Sequence, residues 1–185
     1  MTILQSLATR YERLAAAGKA PVPGFAPAQI SFTIVLDVVG NVVTVNDERM
    51  GEAKRKRPRA VDAPQAPNDR RGEKIVPGTF WDPSDYSLGV PRPDSSGLSA
   101  AVEKLCRKAV EKHEAFKRHH ARLLANTDDK GCVAFLRFLE QWTPDKLHHL
   151  PYASDIPGQN VAFRLEGDAA FINLPIIVAI YAAVC

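Results

Sequence analysis

The sequence predicts an α+β fold: a small, mainly antiparallel sheet carrying a long basic loop, flanked by an amino-terminal helix and a helical hairpin. Three observations carry this. Apolar residues recur at helical spacing in residues 3–16 and again in 98–142. Between them, residues 30–46 alternate apolar and polar side chains about Gly40, the period of a strand. The stretch 49–90 follows neither period and is interrupted by Pro58, Pro64, Pro67 and Pro77, which forbid a long helix.

The elements follow in order. Thr2 is placed to cap a helix whose Leu4, Leu7, Tyr11 and Leu14 form one stripe for packing, with Gly18 as its stop. Pro21, Pro23, Gly24 and Pro27 then impose an extended linker. Ile30, Phe32, Ile34 and Leu36 share one face of a strand, with Ser31 and Thr33 on the other. A turn over 37–41 and a return strand over 42–46 complete a hairpin. The basic stretch leaves from its end, with short edge strands expected over 57–64 and 86–90.

After a second break at 91–97, Ser95 or Ser96 is placed to cap a helix running to about Leu124, with Leu98, Val102, Leu105, Ala109, Phe116 and Leu123 on one stripe. Asp128 or Asp129 caps the next, whose apolar face is Cys132, Phe135, Leu136, Leu139 and Trp142 and whose end is set by Pro144. Residues 161–165 read as a strand, and 170–173 as a possible return after a Gly167-Asp168 turn. Residues 175–185 are almost wholly apolar but too short to span a bilayer as a helix. The chain therefore divides into 1–90, holding helix, hairpin and basic loop, and 91–185, holding the helical hairpin and last strands, within one continuous domain.

Cys106, Cys132 and Cys185 are odd in number and far apart, which suits a reducing cytoplasm rather than a disulfide framework. No secretory signal pattern opens the chain, and no membrane partner is expected. Between residues 49 and 74 nine basic side chains (Arg49, Lys54, Arg55, Lys56, Arg57, Arg59, Arg70, Arg71, Lys74) face four acids, an excess larger than the +3 of the whole chain. Charge concentrated in this way suits a polyanion surface; a solvated loop is the plain alternative. Phe80, Trp81 and Tyr86 supply large apolar side chains to anchor the loop's end, although Phe80 and Trp81 could also stack on a base.

Catalytic candidates are few. No phosphate-cradling glycine loop and no Cys-x-x-Cys pair occurs. His113 and Cys106 share a helix face but lie about 10 Å apart along the axis, too far for one ion. His119, His120 and the His148-His149 pair read as ordinary surface or core histidines, and Asp128-Asp129 as helix caps. No cofactor or metal is expected.

The ordered segments ILQSLATRYERL, PGFAPAQISFTIVLDVVGNVVTV, KRPRAVDAPQ, FWDPSDYSLGV, FLRFLEQWTP and VAFRLEGDAAF resemble the large subunit of the type I-C CRISPR interference complex (Cascade) over residues 3–173. That family is longer, so the likeness is to its amino-terminal part, and the closing INLPIIVAIYAAVC departs from the family's more polar helix; the expectation is a chain truncated at its carboxy end. The resemblance implies a subunit without catalytic chemistry. It would read a short protospacer-adjacent motif (PAM) in double-stranded target DNA, help open the duplex for guide pairing, and work beside crRNA, other Cascade subunits and a helicase-nuclease. Under that reading Lys54, Arg55 and Lys56 are mobile point charges. Arg57, Arg59, Gln65, Asn68, Arg70 and Arg71, set among prolines, are aimed, with Gln65 and Asn68 best suited to a base edge; Lys74 completes the cationic set. The rival readings are a small metal-dependent nuclease using Asp128, Asp129 and the histidines, and a structural subunit that clamps only the crRNA handle.

Overall fold

The computed structural model describes residues 3–17, 19, 24–52, 55–65, 74–94, 98–169 and 171–172. The fold is α+β. Helix α1 (Ile3–Ala16) is followed by strands β1 (Phe25–Ile30), β2 (Phe32–Leu36), β3 (Val42–Asp47), β4 (Arg59–Pro64) and β5 (Trp81–Pro83). A single turn of helix, α2 (Ser84–Ser87), leads to the long α3 (Ser99–Leu123), then α4 (Lys130–Gln141), a 3-10 segment (Pro144–His149) and β6 (Asn160–Leu165).

Two sheets result. A two-stranded antiparallel ribbon joins β1 to β4, and a four-stranded sheet has the order β3-β2-β6-β5. Among the described strands only the β2–β6 pair is parallel, with Phe32 opposite Val161 and Leu36 opposite Leu165. A strand from beyond residue 91 thus lies between strands that precede it. Ser31 separates β1 from β2 and ties three segments together: its N–H donates to the Asn160 carbonyl, its carbonyl accepts from Glu48 N–H, and its hydroxyl donates to Gln159 Oε1 at 2.9 Å.

The main core lies between this sheet and the helical hairpin. Phe135 and Phe138 of α4 meet Phe163 of β6 at ring-centroid distances of 4.7 and 5.2 Å, and Phe32, Ile34, Leu36, Phe116 and Trp142 complete it. The Asp37 turn approaches α4 so closely that a Cβ on Gly40 (φ +88°) would stand 2.6 Å from Phe138 N. A second, smaller cluster of Ala28, Ile30, Ala63 and Ala162 covers the sheet's other side.

Several expectations change. The alternation over 30–36 does not separate a wet face from a dry one: every residue of β2 is buried, Thr33 included, because the strand is central and covered on both sides. The expected linker is shorter, since β1 begins at Phe25 and takes in Pro27 at an edge. Residues 86–90 form no strand; Tyr86 sits in α2, and the short strand is β5, just before it. In α1 the apolar stripe is not packed, with Leu4 at 78% and Leu7 at 58% exposure. The α3 stripe is buried only from Ala109 onward, where His113 and His120 join it. The expected strand over 57–64 is observed as β4 and that over 161–165 as β6; of the return expected over 170–173, the described residues show an isolated bridge from Phe171 to Arg164. Asp129 caps α4, accepting from Cys132 N–H at 2.8 Å. The proposed cap Thr2 lies outside the described residues, as do Ser95, Ser96, Gly18 and 173–185; α3 starts later than a Ser95 or Ser96 cap requires, with Leu98 at its N-cap and no side-chain cap bond. No helix among the described residues is long and apolar enough to cross a membrane.

Candidate nucleic-acid interface

The basic stretch begins as a turn closed by two backbone hydrogen bonds between Met50 and Arg57, at 2.8 and 2.9 Å. Gly51, at φ +113°, takes a conformation that side chains resist, and Arg55 N–H donates to the Glu52 carbonyl. The turn is stapled to the body by Asp47, the last residue of β3. Its carboxylate accepts Arg49 Nε at 2.8 Å, Arg49 Nη2 at 3.0 Å and Lys56 Nζ at 2.7 Å. Arg49 reaches further, to Asp155 Oδ2 at 2.7 Å, and lies over the Phe32 ring. The Arg49 guanidinium, aided by Lys56, holds Asp47 far below the usual carboxylate range despite its burial.

This network divides the cations that the sequence groups together. Lys56 is not a mobile charge but half of a close pair. Arg59, at the start of β4, is held by Glu48 at 3.2 Å in an exposed pair and is not aimed outward by its neighbouring prolines. Both acids lie immediately before the basic run, and Asp155 lies on a remote turn, so a tally begun at Arg49 misses them. Arg55 and Arg57 flank Lys56, are exposed, and have no side-chain partner among the described residues. Alternation along an extended chain turns them away from Asp47 when Lys56 faces it.

The stretch returns through β4, whose end is fixed twice: Gln65 N–H donates to the Gly24 carbonyl, and Trp81 Nε1 donates to the Pro64 carbonyl at 2.8 Å. Gln65 is exposed just past that clasp. Lys74 is exposed and engaged in an interaction of its own. Lys54, Asn68, Arg70 and Arg71 lie outside the described residues.

Phe80 and Tyr86 are buried, at 2% and 5% exposure, so Phe80 offers no face to a base. What holds Phe80 leaves no local pattern in the sequence. Its backbone is in the left-handed region, φ 63°, and its N–H donates to His120 Nε2 at 2.9 Å. Since that nitrogen accepts, Nδ1 carries the proton and donates to the Phe116 carbonyl at 2.9 Å. Burial pushes the imidazole pKa down to about 3. The only sequence signal was a histidine on an apolar helical stripe. Asp82 was missed too: fully buried, it accepts from Gly78 N–H.

Among the described residues no three His, Cys, Asp or Glu side chains are grouped to hold a metal ion. Asp129 is occupied as a cap, His113 Nδ1 donates to the Tyr86 carbonyl, and His119 meets Thr79.

Fold and site together define a small α+β protein that presents a stapled cationic turn beside a sheet. The chain belongs to the family described as CRISPR-associated protein (Cas_Csd1), whose match spans residues 7–184. Comparison with curated proteins gives no match.

Proposed function

We propose that this protein is a non-catalytic nucleic-acid-binding large subunit of a type I-C Cascade, which reads the PAM in duplex DNA and helps open it for guide pairing. Its CRISPR association follows from its family. The observation that carries the finer reading is the stapled turn, where Asp47 and Asp155 pair with Arg49 and Lys56 and leave Arg55 and Arg57 exposed on a fixed support. Cations held in place meet phosphates without losing as much side-chain freedom on binding. Gln65, at the clasped end of β4, carries an amide suited to a base edge. The partners in this reading are target DNA, crRNA, the other Cascade subunits and a helicase-nuclease, in the cytoplasm.

The test is a gel-shift series on duplexes with randomised PAM, with and without the crRNA-bound backbone complex. Selective retention of one PAM class, lost with Arg55→Ala/Arg57→Ala, is expected. Equal retention of all duplexes would reduce the protein to a backbone clamp. Plasmid cleavage in magnesium or manganese that disappears with Asp128→Ala would replace the reading with the nuclease.

A further inference from the structure

A second cationic surface lies on α3. Lys104, Lys108 and Lys112 recur at intervals of four, about 6 Å apart along the axis, and line a cleft of about 780 Å³ whose other wall is Pro91, Arg92 and Pro93. The acids in the cleft are Asp85 and Asp94. Asp85 pairs with Lys112 through Oδ2, while Arg92 and Lys104 are exposed and have no side-chain partner among the described residues. Four cations against two acids leave the cleft positive.

The wall is fixed to the body. Ser84, fully buried, donates its hydroxyl to the Val90 carbonyl at 2.9 Å and accepts from Gly158 N–H at 2.8 Å. Gly158, at φ +83°, comes so close that a Cβ there would stand 3.1 Å from Arg92 Cβ. The same turn that supports Arg92 carries Asp155, the distal partner of Arg49. Asp155 and Gly158, three positions apart, therefore connect the base of the Arg55/Arg57 support to the wall of the α3 cleft.

We infer that the α3 cleft binds the phosphate backbone of a single nucleic-acid strand, continuing the track that begins at Arg55 and Arg57. The single row of lysines follows one phosphate backbone, which is all that a separated strand presents. Arg92 and Lys104 make the first phosphate contacts and Lys108 joins them by exchanging an interaction it already holds, while Asp85 holds Lys112 in place. The inference rests on the reading of the protein as a nucleic-acid-binding subunit and adds a second site to it.

The test uses the full chain and a fluorescein-labelled single-stranded oligonucleotide, with anisotropy read between about 50 and 200 mM salt. Arg92→Gln/Lys104→Gln/Lys108→Gln is expected to weaken binding at least tenfold at the low-salt end and to lower the log–log salt slope by about 2, three contacts at about 0.7 each. Duplex binding should change less. Asp94→Asn should tighten single-strand binding. Photo-crosslinking of a 4-thiothymidine strand to the unaltered chain should label peptides within 91–112, whatever any variant does to folding. Wild-type binding by the triple variant, an equal loss on duplex and single strand, or crosslinks confined to the 50–57 turn would each overturn the inference. If Arg55→Gln/Arg57→Gln still abolishes duplex binding, the proposed function survives that failure. If the unaltered chain binds neither strand form at low salt, both fall.

Discussion

Lowering the pH from 7 to 5 should destabilise this protein through His120. Inside the fold its imidazole is neutral, with a pKa pushed down to about 3 by burial, against 6.5 ordinarily. The unfolded chain takes up a proton as the pH falls through 6.5, whereas the folded chain does not until about 3. Throughout that window the unfolded state binds more protons, so stability falls as pH falls. From about pH 7 to about pH 5, His120 alone removes roughly 2 kcal/mol. Burial lowers His113 and His119 as well, and they act in the same direction. Asp47 and Asp155, held low by Arg49, begin to lose their contribution only as the pH drops toward and below the ordinary carboxylate value of 3.8. Urea unfolding followed by Trp81 and Trp142 fluorescence at the two pH values measures the effect. His120→Gln provides the comparison, because its amide oxygen can accept from Phe80 N–H without titrating. The variant's loss between the two pH values should be smaller by roughly 2 kcal/mol. Equal losses in both proteins would refute the assignment of His120 as a buried neutral acceptor.

Asp47→Asn should cost about 2 kcal/mol in urea unfolding by removing charge-assisted hydrogen bonds to Arg49 and Lys56, and should raise tryptic cleavage after Arg55 and Lys56; the Arg57–Pro58 bond resists the protease in either protein. Gly40→Ala combines a φ of +88° with a backbone clash at 2.6 Å and should cost about 3 kcal/mol or more, read as a shifted urea midpoint. Trp81→Phe loses the bond to Pro64 and should cost about 1 kcal/mol. Gln65→Ala should lose about 1–3 kcal/mol on the correct PAM duplex in the assembled complex and far less on a scrambled one; equal losses would remove Gln65 from base reading.

Local periodicity made most elements legible. The β2–β3 hairpin, β4, the Asp129 cap and the α3–α4 pair follow from spacing and turn chemistry. What could not be read was which faces meet. Thr33 is polar by sequence and buried by position, because a central strand takes its cover from segments far along the chain. Leu4 and Leu7 are apolar by sequence and exposed in the fold. The site suffered from the same limit. A window of nine cations was visible, but Asp47 and Glu48 fell just outside it and Asp155 lies 106 residues from Arg49. Electrostatic partners separated so widely leave no local pattern. His120 was visible as a residue and invisible as the acceptor for Phe80, since that bond depends on a left-handed backbone 40 residues upstream.

The parallel pairing of β2 with β6 has a bearing on how the chain is made. Ser31 and Gln159, joined by a hydrogen bond beside that pairing, are 128 residues apart, and Arg49 must wait 106 residues for Asp155. At about 5–20 residues per second, synthesis leaves the cationic turn without its distal support for roughly 5–20 s. During that interval β2 has one open edge, which in the finished protein is closed by β6. Closing so long a loop makes this step slow as well as late. The protein's charged surface therefore acquires its shape only after Asp155 has been made, well after its charge has emerged.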